Sequence, residues 1–412
     1  MAQTGSLPNT LEDTVTLSRE LREEGQIDGQ VKLYNVDDDD EFESDAALFF
    51  ERTLMTQGLR EALSILRDSL TGDDPRGTHI LYGPYGSGKS HQMVALYHCF
   101  DDPDAAAAWA SDEIEEFESA LPESATPITV AMQNEQYEYL WEPFFEALDA
   151  DPGTYESGGY PDMQTIQDAV GDATVAFFVD ELEDWFDTLQ GDRKSANKAF
   201  LQSLLESTAL SDLDLYTIVS VLREGSEVHD ILNREQAVEV NMNNQVDKRE
   251  VLHHRLIEDT DESAAREIVN DYFDAYDRSD HVSLPDGLLS EMHGLYPFHH
   301  VLLDALETRY YADEGNQNTR GMIYLFSKVL LEMQDQTDLI THGDIDGIEF
   351  EDELAKINYE RLNAATGDIK SRVDEEDVPH GRRILNTILL YSLKPSEGEG
   401  AEVSEIVMGT YQ

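Results

Sequence analysis

One cysteine, Cys99, stands in 412 residues, which excludes a disulfide framework and any CxxC-type zinc or redox centre. Basic residues are scarce: 28 lysines and arginines face 87 aspartates and glutamates, a formal net charge of −59. There is no basic stripe of the kind that tracks a phosphate backbone, so general nucleic-acid affinity is not expected and any link to DNA is indirect. Long hydrophobic runs are missing too. Outside the glycine-rich loop the longest uncharged apolar stretch, Ile384–Leu393, has ten residues, against the ~20 that span a bilayer. Met1–Gly5 hold no basic region followed by an apolar one, so no secretory signal is read. Internal repeats and Ser-His-Asp or paired-carboxylate hydrolase patterns are absent. The expectation from these absences is a cytoplasmic protein without a membrane partner.

What is abundant is carboxylate. The acids are scattered along helical stretches, with Asp37–Asp40 the only pure run, and arginine outnumbers lysine. Dispersed acidity keeps a chain soluble in concentrated salt, where the Debye length shrinks to ~3 Å at 1 M and self-repulsion is screened. That halophile-like adaptation is favoured over a basic partner or an acidic tail. Hydrophobic residues still make up 40% of the chain and recur in periodic blocks, enough for a sizeable core.

Along the chain, residues 1–44 read as an acidic extended arm with one strand-like piece, Val31–Val36. Spacings of three and four from Asp45 to Leu70 predict helix. A turn at Thr71–Pro75 precedes a buried strand, His79–Tyr82, then a glycine-rich loop and a helix from His91 to about Phe100. Strand candidates Ile128–Met132, Thr174–Val179, Leu215–Leu222 and Ala237–Val240 alternate with helices at Ala105–Ala120, Tyr137–Leu148, Met163–Val170 and Ala196–Leu210. Such alternation predicts an α/β fold, a parallel sheet with helices on both faces. From Val246 helices dominate. The expected organisation is an arm at 1–44, an α/β core carrying the glycine-rich loop at 45–245, a helical lid at 246–343 and a C-terminal helical segment at 344–412. The end at Gly409–Gln412 resembles a cut inside a longer protein.

Gly83-Pro84-Tyr85-Gly86-Ser87-Gly88-Lys89-Ser90 matches G-x-x-x-x-G-K-[ST], with a strand before it and a helix after it. Glycines let backbone N–H groups ring a β-phosphate, and the helix adds its positive end. Lys89 is expected to bridge β- and γ-phosphates of ATP, Ser90 to hold Mg²⁺, and His91 to flank the loop. A second element, Ala176–Glu181, is an apolar strand ending in two acids. Asp180 is expected to share the metal with Ser90, and Glu181 to orient the attacking water; two acids capping a helix are the plainer alternative. Glu183 and Asp184 are expected to be solvated. Ser220, near the end of the third strand, is the candidate to hold that water, or else a core hydroxyl bonded to its own backbone.

Transition-state charge calls for arginine. Arg234, just before the last strand, is the candidate finger toward a neighbouring copy in a homo-oligomer, with Arg223 as competitor; either is otherwise a surface arginine. Arg320, opening a helix of the lid, is the candidate sensor. Adjacent His299 and His300 are expected to face different ways and not to hold metal. Trp141 and Trp185 read as core.

Together these features are similar to the AAA+ branch of P-loop ATPases. More narrowly, Asp45–Thr53 leading to Thr56 and Leu59, then Tyr82–His91, and later Tyr296–His299, resemble the N-terminal half of the large ATPases of BREX-type phage-defence clusters. The resemblance covers roughly residues 45–393. It implies Mg²⁺-dependent ATP hydrolysis within a multiprotein defence complex acting on DNA. An origin-recognition or replication-loader ATPase is the alternative, although residues 344–380 are acidic and supply no basic winged helix; an ATP-gated scaffold with negligible turnover is the other.

Overall fold

Strands with no polar face need cover on both sides, and that requirement builds the centre of this molecule. The computed structural model describes residues 10–132, 137–153, 159–210, 212–223, 225–234, 237–241, 248–309, 318–368, 378, 380–393 and 400–411. Seven strands occur among them: β1 (Val15–Leu17), β2 (Thr78–Tyr82), β3 (Thr126–Ala131), β4 (Val175–Asp180), β5 (Leu215–Val221), β6 (Val238–Asn241) and β7 (Ile257–Thr260). Two compact units divide the chain, Gln30–Asp247 in one and Met1–Gly29 with Lys248–Gln412 in the other.

In the first unit β3-β4-β5-β2-β6 form a five-stranded, wholly parallel sheet. Every residue of β2, β4 and β5 is buried. Alternate side chains serve opposite faces. Ile80, Phe177, Val179 and Val219 pack with Phe144, Phe186 and Phe200 on one side, whereas Leu81, Phe178 and Ile218 pack with Leu63, Met93 and Phe100 on the other. Removing a ring such as Phe177 from this interior costs ~3–5 kcal/mol. The helices that flank the sheet include Gln57–Thr71, Lys89–Asp101, Trp141–Ala147, Met163–Val170 and Gly191–Thr208. Thr56 starts the first of them by accepting the Leu59 N–H at 3.2 Å, an N-cap in place of solvent. β4 and β5 run in register from Val175↔Leu215 to Val179↔Val219, so the next residues, Asp180 and Ser220, come level at the carboxyl edge.

Two expectations for the N-terminus do not hold. Residues 10–29 are no extended arm: Leu11–Thr14 and Arg19–Glu24 are helical, and β1 pairs antiparallel with β7. Burial explains this, because Leu11, Leu21 and Ile27 enter the core of the helical unit and Arg255 meets Glu20 in a buried pair at 2.6 Å. Residues 30–44 belong instead with the sheet unit. There the strand-like Val31–Val36 forms a 3-10 helix, Leu33–Asp37, with Leu33 and Val36 turned into the core.

The second unit is helical apart from β1, β7 and an isolated bridge. Its main helices include Glu262–Asp277, His300–Arg309, Asn318–Met333, Glu351–Asp368 and Gly381–Leu393. Among the described residues no helix is long and apolar enough to cross a membrane, and no cluster of three metal-ligating side chains occurs. His299 and His300 do not diverge: both are buried with ring centroids 4.4 Å apart, and His342 lies 6.3 Å from His299. Burial holds His299 well below the ordinary imidazole value and pushes His300 and His342 down to about 4; Asp304 opposes this at His300, and Arg383 adds to it at His342. The unfolded chain takes up these protons near pH ~6.5, so the folded protein binds fewer of them below that pH. Their contribution to stability is complete above pH ~6.5 and is lost as the pH falls toward 4. Urea unfolding followed from pH 7 to 4 is expected to show that decline, and a shallower one in His300→Gln; an identical slope in the variant removes His300 from the account.

Candidate nucleotide site

β2 runs directly into the loop Gly83–Gly88, where the glycines meet a conformational demand. Gly86 and Gly88 have φ of 74° and 91°, the left-handed region that side chains avoid. The loop starts against β5, with the Gly83 N–H donating to Val221 O at 3.1 Å. Gly88 then caps the helix Lys89–Asp101, so the positive end of that helix lies at the loop.

Lys89 folds back over its own loop. Its ammonium donates to Gly83 O at 2.6 Å and Pro84 O at 3.0 Å, and the side chain is buried. Burial pushes its pKa down to about 8, against the pull of Asp180 and three further carboxylates. The Tyr85 ring lies 5.9 Å from the same nitrogen, and its hydroxyl donates to Asp184 at 2.6 Å, so Asp184 is engaged and not simply solvated. That bond, with burial second, pushes the phenol up to about 12.

Asp180 is where the elements meet. It ends β4, is buried, and accepts from the Ser90 hydroxyl at 2.7 Å through Oδ2. Its Oδ1 accepts the Glu181 N–H at 3.0 Å and the Ser220 hydroxyl. Ser220 also accepts the Glu181 N–H at 3.0 Å. Its hydroxyl is therefore donated to a neighbouring strand's carboxylate, which neither sequence reading of it anticipated. Glu181 sits at φ 57°, ψ 29°, left-handed for a residue with a side chain. Half-buried, its carboxyl is raised by burial first and then by Asp180 and Asp184, partly offset by Lys89.

The other candidates are distributed as follows. His91 bonds Thr53 Oγ1 at 2.9 Å and packs on Phe49 at 4.9 Å, tying the loop's helix to the segment before Gln57–Thr71. Arg320 belongs to the helical unit, where Nη2 and Nε hold Asp28 at 2.8 and 3.1 Å. Arg234 ends the helix Glu227–Arg234; its side chain lies outside the described residues. Glu183 overturns its expectation: it is 1% exposed and paired with Arg223 at 2.8 Å. No spacing signal distinguishes it among so many acids.

A magnesium nucleotide fits this donor set. Ser90 and Asp180 are hard oxygen ligands of the type Mg²⁺ takes alongside phosphate and water. The Ser87 hydroxyl is buried in the loop with no hydrogen-bond partner, and Lys89 is satisfied only by carbonyls of the loop it crosses. Both are donors suited to phosphate oxygens.

A parallel sheet in which β2 feeds a glycine loop and helix, and in which β5 separates β2 from a strand ending in Asp-Glu, defines the α/β fold of the P-loop NTPases. Sequence comparison adds a match of residues 20–133 to the family model described as DUF499 N-terminal domain. Curated proteins yield no match. Among solved structures, the chain is similar to Aeropyrum pernix ORC1 in complex with DNA (14% identity, TM-score 0.40, 91% of this chain and 79% of that one). It is also similar to C. elegans PCH-2 (12%, 0.28, 66% and 68%). The FIGL-1 AAA domain in complex with ADP gives 12% identity and a TM-score of 0.29 over 76% of this chain and 87% of that one.

Loss of the ammonium is expected to cost ~1.5–3 kcal/mol, about tenfold or more in affinity. Titration of Lys89→Ala with a fluorescent ATP analogue and Mg²⁺ reads this directly, and undiminished affinity removes Lys89 from phosphate binding.

Proposed function

We propose that this chain is an Mg²⁺-dependent AAA+-like ATPase, and that its hydrolysis drives conformational work in a multiprotein phage-defence system of the BREX type. The observation that carries the ATPase reading is the convergence of Ser90, Ser220 and the Glu181 N–H on Asp180 beside the phosphate loop. Magnesium bound there supplies charge neutralisation of the phosphate oxygens. Lys89 would exchange its loop carbonyls for the β- and γ-phosphates, and Ser90 and Asp180 would hold the cation. The amides of Gly86–Ser90 bind the phosphates. Glu181, half-buried beside Lys89, orients the attacking water. Ser220 keeps Asp180 and Glu181 in register. Arg234 is proposed to act on a neighbouring copy in a homo-oligomer and Arg320 to serve as sensor once released from Asp28.

The defence role is supported by the motif resemblance at 45–59, 82–91 and 296–299, with DNA reached through partner proteins. Residues 45–245 form the ATPase core in this reading, with residues 30–44 in the same compact unit, and the helical unit is the moving part; the dispersed acidity suits a concentrated-salt cytoplasm.

Steady-state hydrolysis by the full chain, compared with Glu181→Gln, tests the chemistry. The expected fall is ~10²–10⁴-fold in kcat with nucleotide binding retained. Equal rates leave an ATP-gated scaffold as the better description. For the biological role, a host carrying Glu181→Gln is expected to lose phage resistance, and full resistance in that strain refutes the defence assignment.

A further inference from the structure

Glu183 is the most enclosed acid near the site, and its partners have a common origin. It lies on the helix Leu182–Thr188, two residues past Glu181. Its Oε2 accepts the N–H groups of Leu222 at 2.9 Å and Arg223 at 3.2 Å. Its Oε1 accepts Arg223 Nε at 2.9 Å and Nη2 at 2.8 Å. A buried carboxylate costs several kcal/mol unless donors meet its lone pairs, and here four donors do so. All four come from the two residues that follow β5.

One side chain thus ties the helix that begins at Glu181 to the end of the strand that carries Ser220. Glu181 needs such a tie. Its left-handed backbone costs a non-glycine residue ~1–2 kcal/mol and persists only where the surroundings over-determine it. The bonds from its N–H to Asp180 and Ser220 fix one side of the residue. Glu183 fixes the other. Arg223 is two-thirds exposed yet held along one edge by Glu183, with Asp187 at 3.7 Å, so its guanidinium closes this clamp.

We propose that Glu183 is a positioning residue for hydrolysis: with Arg223 it clamps the helix start against the end of β5 and so keeps Glu181 in its working conformation. The proposal rests on the ATPase reading. Misplacement of a reacting group by about 1 Å costs ~10²-fold in rate, and the bonds of Glu183 run to the two residues after β5.

The test uses the full chain and Mg-ATP. Glu183→Gln keeps the volume but loses the charge-assisted pair, while Arg223→Gln removes the guanidinium and leaves the backbone donors. Each is expected to lower kcat at least ~10-fold, with nucleotide Kd within about twofold of the parent. In a Glu181→Gln background, Glu183→Gln is expected to add no further loss, because it acts through Glu181. Should Glu183→Gln fail to fold, Arg223→Gln alone and in the Glu181→Gln background carries the same comparison. Unchanged kcat, a loss fully additive with Glu181→Gln, or a matching loss of nucleotide affinity overturns the clamp while leaving the ATPase intact. A parent protein that binds Mg-ATP without turnover overturns the ATPase reading and the clamp with it.

Discussion

Everything at the carboxyl edge of the sheet is organised by the hydrogen bonds that converge on the Asp180 carboxylate. A strand-end acid with two hydroxyls and a backbone amide pointed at it is geometrically fixed, because each donor arrives from a different segment: the loop's helix, β5, and the next residue of its own chain. The parallel register makes this possible. With β4 and β5 paired residue for residue, Asp180 and Ser220 come level without any adjustment of the backbone. The apolar interior on both faces then keeps the strands from slipping, since a one-residue shift would turn Phe177 and Phe178 to the wrong sides.

The charge composition makes such pairing informative. In a chain with 87 acids an exposed carboxylate says little, whereas a buried one has to be met by donors. Glu20 meets Arg255, Asp344 meets Arg383 and Thr341, Glu43 accepts from Lys32 N–H and Asn35, and Glu183 meets Arg223. Most of these stabilise the packing of one segment on another. Glu183 differs in joining the helix after Glu181 to the end of β5, two segments that meet at Asp180.

The sheet and the phosphate loop were legible because their signals are local. Strands such as Phe177–Val179 are continuous apolar runs, and a glycine loop between strand and helix has few other uses. Met163–Val170 has the bounds expected of it, and the structure adds the Asp162 cap, which accepts the Thr165 N–H at 3.0 Å. The N-terminal arm was not legible, since β1 depends on pairing with β7, more than two hundred residues away, and nothing in Val15–Leu17 announces that partner. The histidine pair failed for a related reason: His299 precedes its helix, so the helical rule for adjacent residues did not apply to it.

Glu183 shows the same limit inside the site. Its distance from Glu181 along the chain is two, a spacing that on a regular helix points side chains apart. That rule suggests a residue with no share in what Glu181 does. The left-handed turn at Glu181 interrupts the helix before it starts, so Glu183 takes its direction from Leu182 onward and is aimed at the end of β5. The two acids, with Leu182 between them, thus take different directions and different partners. The strain at Glu181 and the burial of Glu183 meet at the start of one helix, where Asp180 and Ser220 hold the N–H of the first acid and the residues after β5 hold the carboxylate of the second.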